Sequence, residues 1–221
     1  MNKDLSLPLT REVIATLRAG DCCTLTGTLY TARDAAHKRM IETIAEALDV
    51  TTDTLLTAMA CDGKTGDPGP VPPENGATGQ WVFTPERKAL ARKALPFDIV
   101  DQTIYYLGPT PAREGQVIGS AGPTTSTRMD RYTPVLLDLG LAGMIGKGRR
   151  SPEVIAAMKQ NTAVYFAATG GAGALLSKCI QSAEVIAYDD LGTEAVRRLT
   201  VEALPVIVVI DSEGTDQYQL F

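Results

Sequence analysis

Residues 142–166 read AGMIGKGRRSPEVIAAMKQNTAVYF. Residues 142–145 are a short apolar run that reads as a strand. Pro152–Gln160 reads as a helix. Ser151 is a good N-cap, Pro152 suits the first helical position, and Glu153 brings negative charge to the positive end of the helix dipole. Residues 163–166 are again apolar and strand-forming. A strand, a capped helix and a second strand in so short a span predict an α/β fold.

The alternation continues on both sides. Downstream, TGGAGALLSKC (169–179) reads as a helix after a glycine turn, and 185–188 and 206–210 as strands. The last is a continuous β-branched run of the kind found in buried strands. Upstream, 132–139 fits a helix, and 103–107 (TIYYL) and 117–120 fit strands. Residues 22–25 read as a strand, 26–28 as a turn, and about 32–48 as a helix with Ala36, Met40, Ile44 and Ala47 at helical spacing. Residues 62–79 hold five Gly and four Pro in eighteen positions, so no regular element is expected there. Residues 85–94 read as a short helix. We expect one domain over 1–221, with a surface insertion over about 48–92 that includes the single tryptophan, Trp81.

The 221-residue chain carries 21 Lys and Arg against 26 Asp and Glu, a net charge of −5. That balance argues against a nucleic-acid partner. Hydrophobic residues at 44% and charged residues at 21% are globular proportions, which excludes disorder for the bulk of the chain. No apolar run reaches the roughly 18 residues of a membrane span, and MNKDLSLPLTREV has no signal-type stretch. A soluble, cytoplasmic protein with no membrane partner is expected. Cys22, Cys23, Cys61 and Cys179 make no compact metal-ligand spacing and read as reduced, buried or incidental thiols. The single histidine, His37, excludes a two-histidine metal pair, and no GxSxG elbow accompanies it. No metal ligands are expected in this chain.

Three polar, glycine-flanked turns remain: TGTLYTARD (26–34), GSAGPTTSTRMD (119–130) and MIGKGRRS (144–151). In open α/β sheets ligands gather where such turns converge. Together they offer Arg33, Arg128 and Lys147, with hydroxyls from Thr124 and Thr125. Arg grips a carboxylate at two points and Lys adds a compact charge, so a small-anion site is expected. Each turn also has a plainer reading. Thr124–Thr127 could be a capping cluster, Arg33 and Asp34 a surface pair, and GKGRRS a solvated basic turn. GKGRRS is not a Walker A loop, and GGAG (170–173) lacks the GxGxxG spacing, which favours close helix–strand packing there.

At the same turns the sequence resembles a known family. LTGTLYTARDAAHKRM, IYYLGPTP, GSAGPTTSTRMDRYTP, GMIGKGRRS and VYFAATGGAGALLSKC together resemble the β subunit of two-subunit class I fumarate hydratases. The β subunit of L(+)-tartrate dehydratase is similar throughout. The resemblance implies a three-layer β/β/α swivelling domain with a parallel central sheet and a second, antiparallel sheet. It implies a [4Fe-4S] cluster ligated by three cysteines of a partner α subunit, whose open iron acts as a Lewis acid on the substrate hydroxyl and carboxylate. It also implies a dicarboxylate held between the two subunits, in an (αβ)2-type assembly, or a homodimer when the chain is alone. Carried over, Arg33, Arg128 and Lys147 hold substrate carboxylates, and Thr124 is the base at C3 of malate. Thr125, from the hydroxyls of the same turn, is expected to bind the substrate beside them. A threonine base needs a neighbouring cation, Lys147 or Arg128, to stabilise its alkoxide. Asp34 and His37 are expected behind these residues, His37 supporting Arg33 or serving the core. The implied activity is fumarate–malate interconversion. Tartrate dehydration and a non-catalytic carboxylate-binding module are the alternatives. The 48–92 insertion departs from the family pattern.

Overall fold

The computed structural model describes residues 3–60 and 83–219. The Gly/Pro-rich run 62–79 and Trp81 lie outside the described residues. The elements are β1 Lys3–Ser6, α1 Arg11–Ala15, β2 Cys22–Thr31, α2 Asp34–Ala47, α3 Thr52–Ala60, α4 Pro85–Ala94, β3 Thr103–Tyr105, α5 Thr133–Asp138, β4 Gly143–Gly146, α6 Pro152–Gln160, β5 Val164–Ala167, α7 Gly173–Leu176, β6 Ile180–Ala187 and β7 Val196–Ile210. The expected α/β class is borne out.

The strands form one seven-stranded sheet in the order β1-β2-β3-β4-β5-β7-β6. Strands β2, β3, β4 and β5 are parallel neighbours. The long β7 pairs antiparallel with β5 and also with β2. Strands β2, β3, β4, β5 and β7 therefore close into a ring, with β1 and β6 laid along it. The parallel and antiparallel strands share one continuous pairing network.

Strand alternation sorts the apolar side chains into two cores. Tyr105, Leu107, Ile145, Val164 and Phe166 face the inside of the ring, with Leu25, Leu29, Leu199, Val201 and Val208. Leu5, Leu7, Leu9, Ile14 and Leu17, from β1, α1 and the segments beside them, add to this core. Ile104, Tyr106, Met144 and Tyr165 face outward to the helices, where they meet Met40 and Ile44 of α2, Leu136 of α5 and Val154 of α6. Leu55 of α3 and Ala91 of α4 are fully buried in this second core, so both ends of the 48–92 span pack against the domain. Burying each such large side chain contributes on the order of 1.5–3 kcal/mol.

Several expectations are corrected. The turn at 26–28 is a bulge inside β2–β7 pairing: Leu25 faces Leu204 but Gly27 faces Val201. The extra residue lies in β7, and the inward positions accordingly change from odd (Leu199, Val201) to even (Leu204, Val206, Val208) across it. Thr26 Oγ1 accepts the Ala203 N–H at 3.0 Å and satisfies the bulge. Gly27 has φ 131°, and a Cβ there would meet the Leu7 carbonyl oxygen at 2.6 Å. Residues 117–119 form bends and residue 120 is irregular, so no strand runs there. Among the described residues no helix is long and apolar enough to cross a membrane.

Candidate functional site

The parallel strands β2, β3, β4 and β5 end at one rim, and the three polar turns leave from it. Strand β2 runs into Arg33 and Asp34, at the start of α2. The segment after β3 returns through Leu107, which bridges Pro123, while Thr124 N donates to the Tyr106 carbonyl at 2.8 Å. Strand β4 runs into Lys147, which bridges Thr125 in parallel. Lys147 N donates to the Thr124 carbonyl at 3.2 Å, and Ser126 N donates to the Lys147 carbonyl at 2.9 Å. Backbone pairing thus holds Thr124, Thr125 and Lys147 side by side. Thr125 and Lys147 are exposed and Thr124 is half-buried.

Arg33, Asp34 and Arg128 form the adjoining group. Arg128, in the 3-10 turn Ser126–Met129, donates Nε to Asp34 Oδ1 at 2.8 Å. Arg33 occupies the N-cap of α2 without a side-chain cap bond. Its guanidinium lies over Gly108, where a Cβ would come within 2.8 Å of the Arg33 Cδ. Glu194 approaches from before β7: one oxygen stands 3.5 Å from Arg33 Nη2, and the other accepts Ala35 N–H at 2.8 Å, capping α2 in place of Arg33. Arg33 Nε and Asp34 Oδ2 are buried atoms without a hydrogen-bond partner. An unpaired donor on a largely enclosed guanidinium is costly, and an incoming anion beside Arg33 would offset that cost.

His37 is fully buried, one turn into α2. Its Nδ1 bonds the Arg33 carbonyl at 2.9 Å, and its ring stands edge-on to Tyr106 at 5.3 Å. That bond makes Nδ1 the protonated nitrogen and leaves Nε2 unpartnered. Burial lowers its pKa to about 4, against the opposing effect of the Arg33 carbonyl, with the Arg150 charge lowering it further. His37 is a neutral support beneath Arg33, facing the core.

Sequence reasoning missed Glu194, Asp130, Tyr165 and Arg150 as residues that build this rim. Arg150 is enclosed: Nε bonds Asp130 Oδ1 at 2.7 Å and Nη2 bonds Thr133 Oγ1 at 2.8 Å. Asp130 Oδ2 accepts Ser151 N–H at 2.7 Å. The adjacent arginines of GKGRRS gave no sign of which one turns inward, and Glu194 is too distant in sequence from Arg33 for any spacing rule.

The described residues do not fit an iron–sulfur cluster; Cys61 lies outside them. Cys23 is buried, with its thiol pushed up to about 11 chiefly by that burial, while the adjacent Cys22 is exposed. Among the described residues no three of His, Cys, Asp and Glu gather in a way that would hold a metal ion. A cavity of about 480 Å³ lies on the helical side against Leu56, Asp130 and Pro134, and a groove of about 390 Å³ beside Thr110, Thr193 and Arg197. Neither is lined by Thr124, Arg128 or Lys147, which stand on an open surface at the strand ends.

A family profile described as "Fumarase C-terminus" matches residues 1–57 and 86–221. The chain is 40% identical to the aerobic class I fumarate hydratase of Escherichia coli K12 over 129 residues, 58% of this chain and 24% of that protein. It is 30% identical to the mitochondrial fumarate hydratase 1 of Leishmania major over 197 residues, 88% of this chain and 28% of that protein. It is 29% identical to a putative L(+)-tartrate dehydratase subunit beta of Methanocaldococcus jannaschii over 217 residues, 96% of this chain and 88% of that protein. The chain thus spans about a quarter of the length of the fumarate hydratases it matches and most of the length of the dehydratase subunit.

Proposed function

The chain belongs to the fumarase C-terminus family, and from that premise we propose that it is the β subunit of a hydro-lyase interconverting fumarate and (S)-malate. The observation that carries the proposal is the collection of Arg33, Arg128, Lys147, Thr124 and Thr125 at one rim of parallel strands, on a surface open to a second subunit. We assign the [4Fe-4S] cluster to a partner α subunit, since the described cysteines, Cys22, Cys23 and Cys179, do not gather as its ligands, and derive no step through it. We also read the ring and its helices as a three-layer swivelling domain, residues 1–221 as one unit with an insertion near 48–92, and the protein as cytoplasmic, in an (αβ)2-type assembly.

In this reading the three cations bind the two carboxylates of the dicarboxylate. Arg33 brings an Nε donor that has no hydrogen-bond partner among the described residues, beside its pairing with Glu194. Arg128 exchanges the Asp34 carboxylate for that of the substrate, which conserves its charge pairing and lowers the cost of desolvating the site. Thr125 adds a hydroxyl donor. Thr124 accepts the C3 proton in the dehydration direction, and Lys147, tied to it through the backbone, supplies the positive charge that an alkoxide requires. Closure against the second subunit excludes water and strengthens each of these interactions.

A second reading, the β subunit of an L(+)-tartrate dehydratase, is favoured by the near full-length similarity to the M. jannaschii protein. The test is anaerobic co-purification with an α subunit followed by assay on malate, fumarate and L(+)-tartrate. Turnover of malate and fumarate is the expected result. Turnover of tartrate alone selects the second reading, and binding of dicarboxylates with no turnover reduces the chain to a carboxylate-binding module.

A further inference from the structure

Tyr165 lies in β5, fully buried on the side that faces the helices. Its one phenolic hydrogen goes to the Gly148 carbonyl at 2.9 Å. The Ser126 hydroxyl, 2.8 Å away, is therefore the donor to the phenol oxygen. Burial raises the phenol above its ordinary range, so it remains an O–H donor at any physiological pH. The two groups it joins belong to different turns: Ser126 follows Thr124 and Thr125, and Gly148 follows Lys147. The phenol thus ties together, from beneath, the same junction that the Thr124–Lys147 and Ser126–Lys147 backbone bonds tie along the rim.

Arg150 fixes the phenol in turn. Its guanidinium carbon sits 5.3 Å from the Tyr106 ring centre and 5.1 Å from that of Tyr165. Its remaining donors reach Asp130, Thr133 and, at 3.3 Å, the Tyr106 hydroxyl. An enclosed cation is retained only where its partners are well ordered, and here they include the end of the 119–130 turn. Tyr106 also carries the edge-on contact to His37, whose ring holds the Arg33 carbonyl. All three turns therefore converge on one buried group.

We infer that Tyr165 and Arg150 are positioning residues for this site: the Tyr165 hydroxyl fixes the separation of Thr124 from Lys147, and Arg150 fixes Tyr165 and Asp130. The inference rests on the proposed reading of Thr124 and Lys147 as partners in proton transfer. Small errors in the placement of such a pair are expensive in rate and cheap in binding.

Tyr165→Phe removes the bridging hydroxyl and keeps the ring. In the isolated full chain, hydrogen exchange at the Ser126 and Lys147 amides should quicken at least about fivefold, with β7 unchanged. In the complex with the α subunit, kcat for malate should fall about tenfold while KM stays within about threefold. Arg150→Met should produce both effects more strongly; if that variant does not fold, Tyr165→Phe alone decides. Wild-type exchange with wild-type kcat in Tyr165→Phe overturns the inference, as does a loss of kcat that only follows the loss of folded protein. A wild-type complex inactive on every substrate sinks the functional reading instead, and the exchange result then decides the clamp by itself.

Discussion

Arg128 gives Asp34 one charge-assisted bond while its side chain is half exposed, so its partner is exchangeable. Lysine keeps the charge and loses the planar fork. Charge-assisted bonds contribute about 1.5–3 kcal/mol, so Arg128→Lys should lower kcat/KM roughly ten- to a hundredfold with an unchanged melting temperature. Near-normal kcat/KM would leave Arg128 as a brace for Asp34. Thr124→Ala should act on kcat rather than KM, within the roughly 10²–10⁴-fold range of acid–base catalysis; a loss under about tenfold would make Thr124 a positioning group. His37 sets a pH dependence of stability. Its pKa is about 4 in the folded chain and 6.5 when unfolded, so the unfolded state binds the extra proton between those values. Stability is full above pH 6.5 and declines as pH falls toward 4, by roughly 3 kcal/mol in total. The lowered carboxylates Asp21 and Asp190 act nearer pH 4, which leaves the window from 6.5 to 5 to His37. Urea unfolding at pH 7.5 and 5 should show the decline, and His37→Gln should flatten it; an equal slope in that variant would assign the effect elsewhere. The candidate cations and hydroxyls were legible because each sits in a glycine-flanked turn. Asp130, Arg150 and Tyr165 were not, because their roles come from which side chains turn inward.

Helix α6 has its predicted bounds, because its cap is local: Ser151 Oγ accepts Val154 N–H and Pro152 opens the first turn. The same holds for α4, capped by Thr84. Strand β7 is three times the length that its apolar run 206–210 suggests. Glu202, Ala203 and Pro205 interrupt the pattern there, and only pairing with β2 and β6 makes the segment a strand. Strand β6 escaped partly for a similar reason, since Gln181, Ser182 and Glu184 break its apolar pattern and half of its residues are exposed. The bulge between β2 and β7 supplies a test of this tertiary control. Gly27→Ala combines a left-handed φ with a clash against Leu7, so it should cost about 2 kcal/mol in urea unfolding. An unchanged midpoint would mean that β1 yields freely at that point. Because Leu7 lies beyond the end of β1, the damage should concentrate in the N-terminal segment and spare the rim.

The α/β class was legible because the 142–166 unit is self-contained, whereas the ring was not, since its closure joins β2 to β7. The division of labour with a second subunit makes a direct expectation: this chain purified alone should be colourless and without hydratase turnover. A cluster absorbance with full turnover from the single chain would refute it. The closing pairing carries one more consequence. Cys22 stands opposite Ile207, so the seam of the ring joins residues 185 positions apart. Bringing such distant segments together is entropically costly and slow. During synthesis the first strands emerge long before the strand that seals them, and they wait with one edge open. The N-terminal part of the chain is therefore exposed to misassociation until translation passes Ile210, and a chain interrupted before β7 leaves a sheet with two free margins in place of a ring.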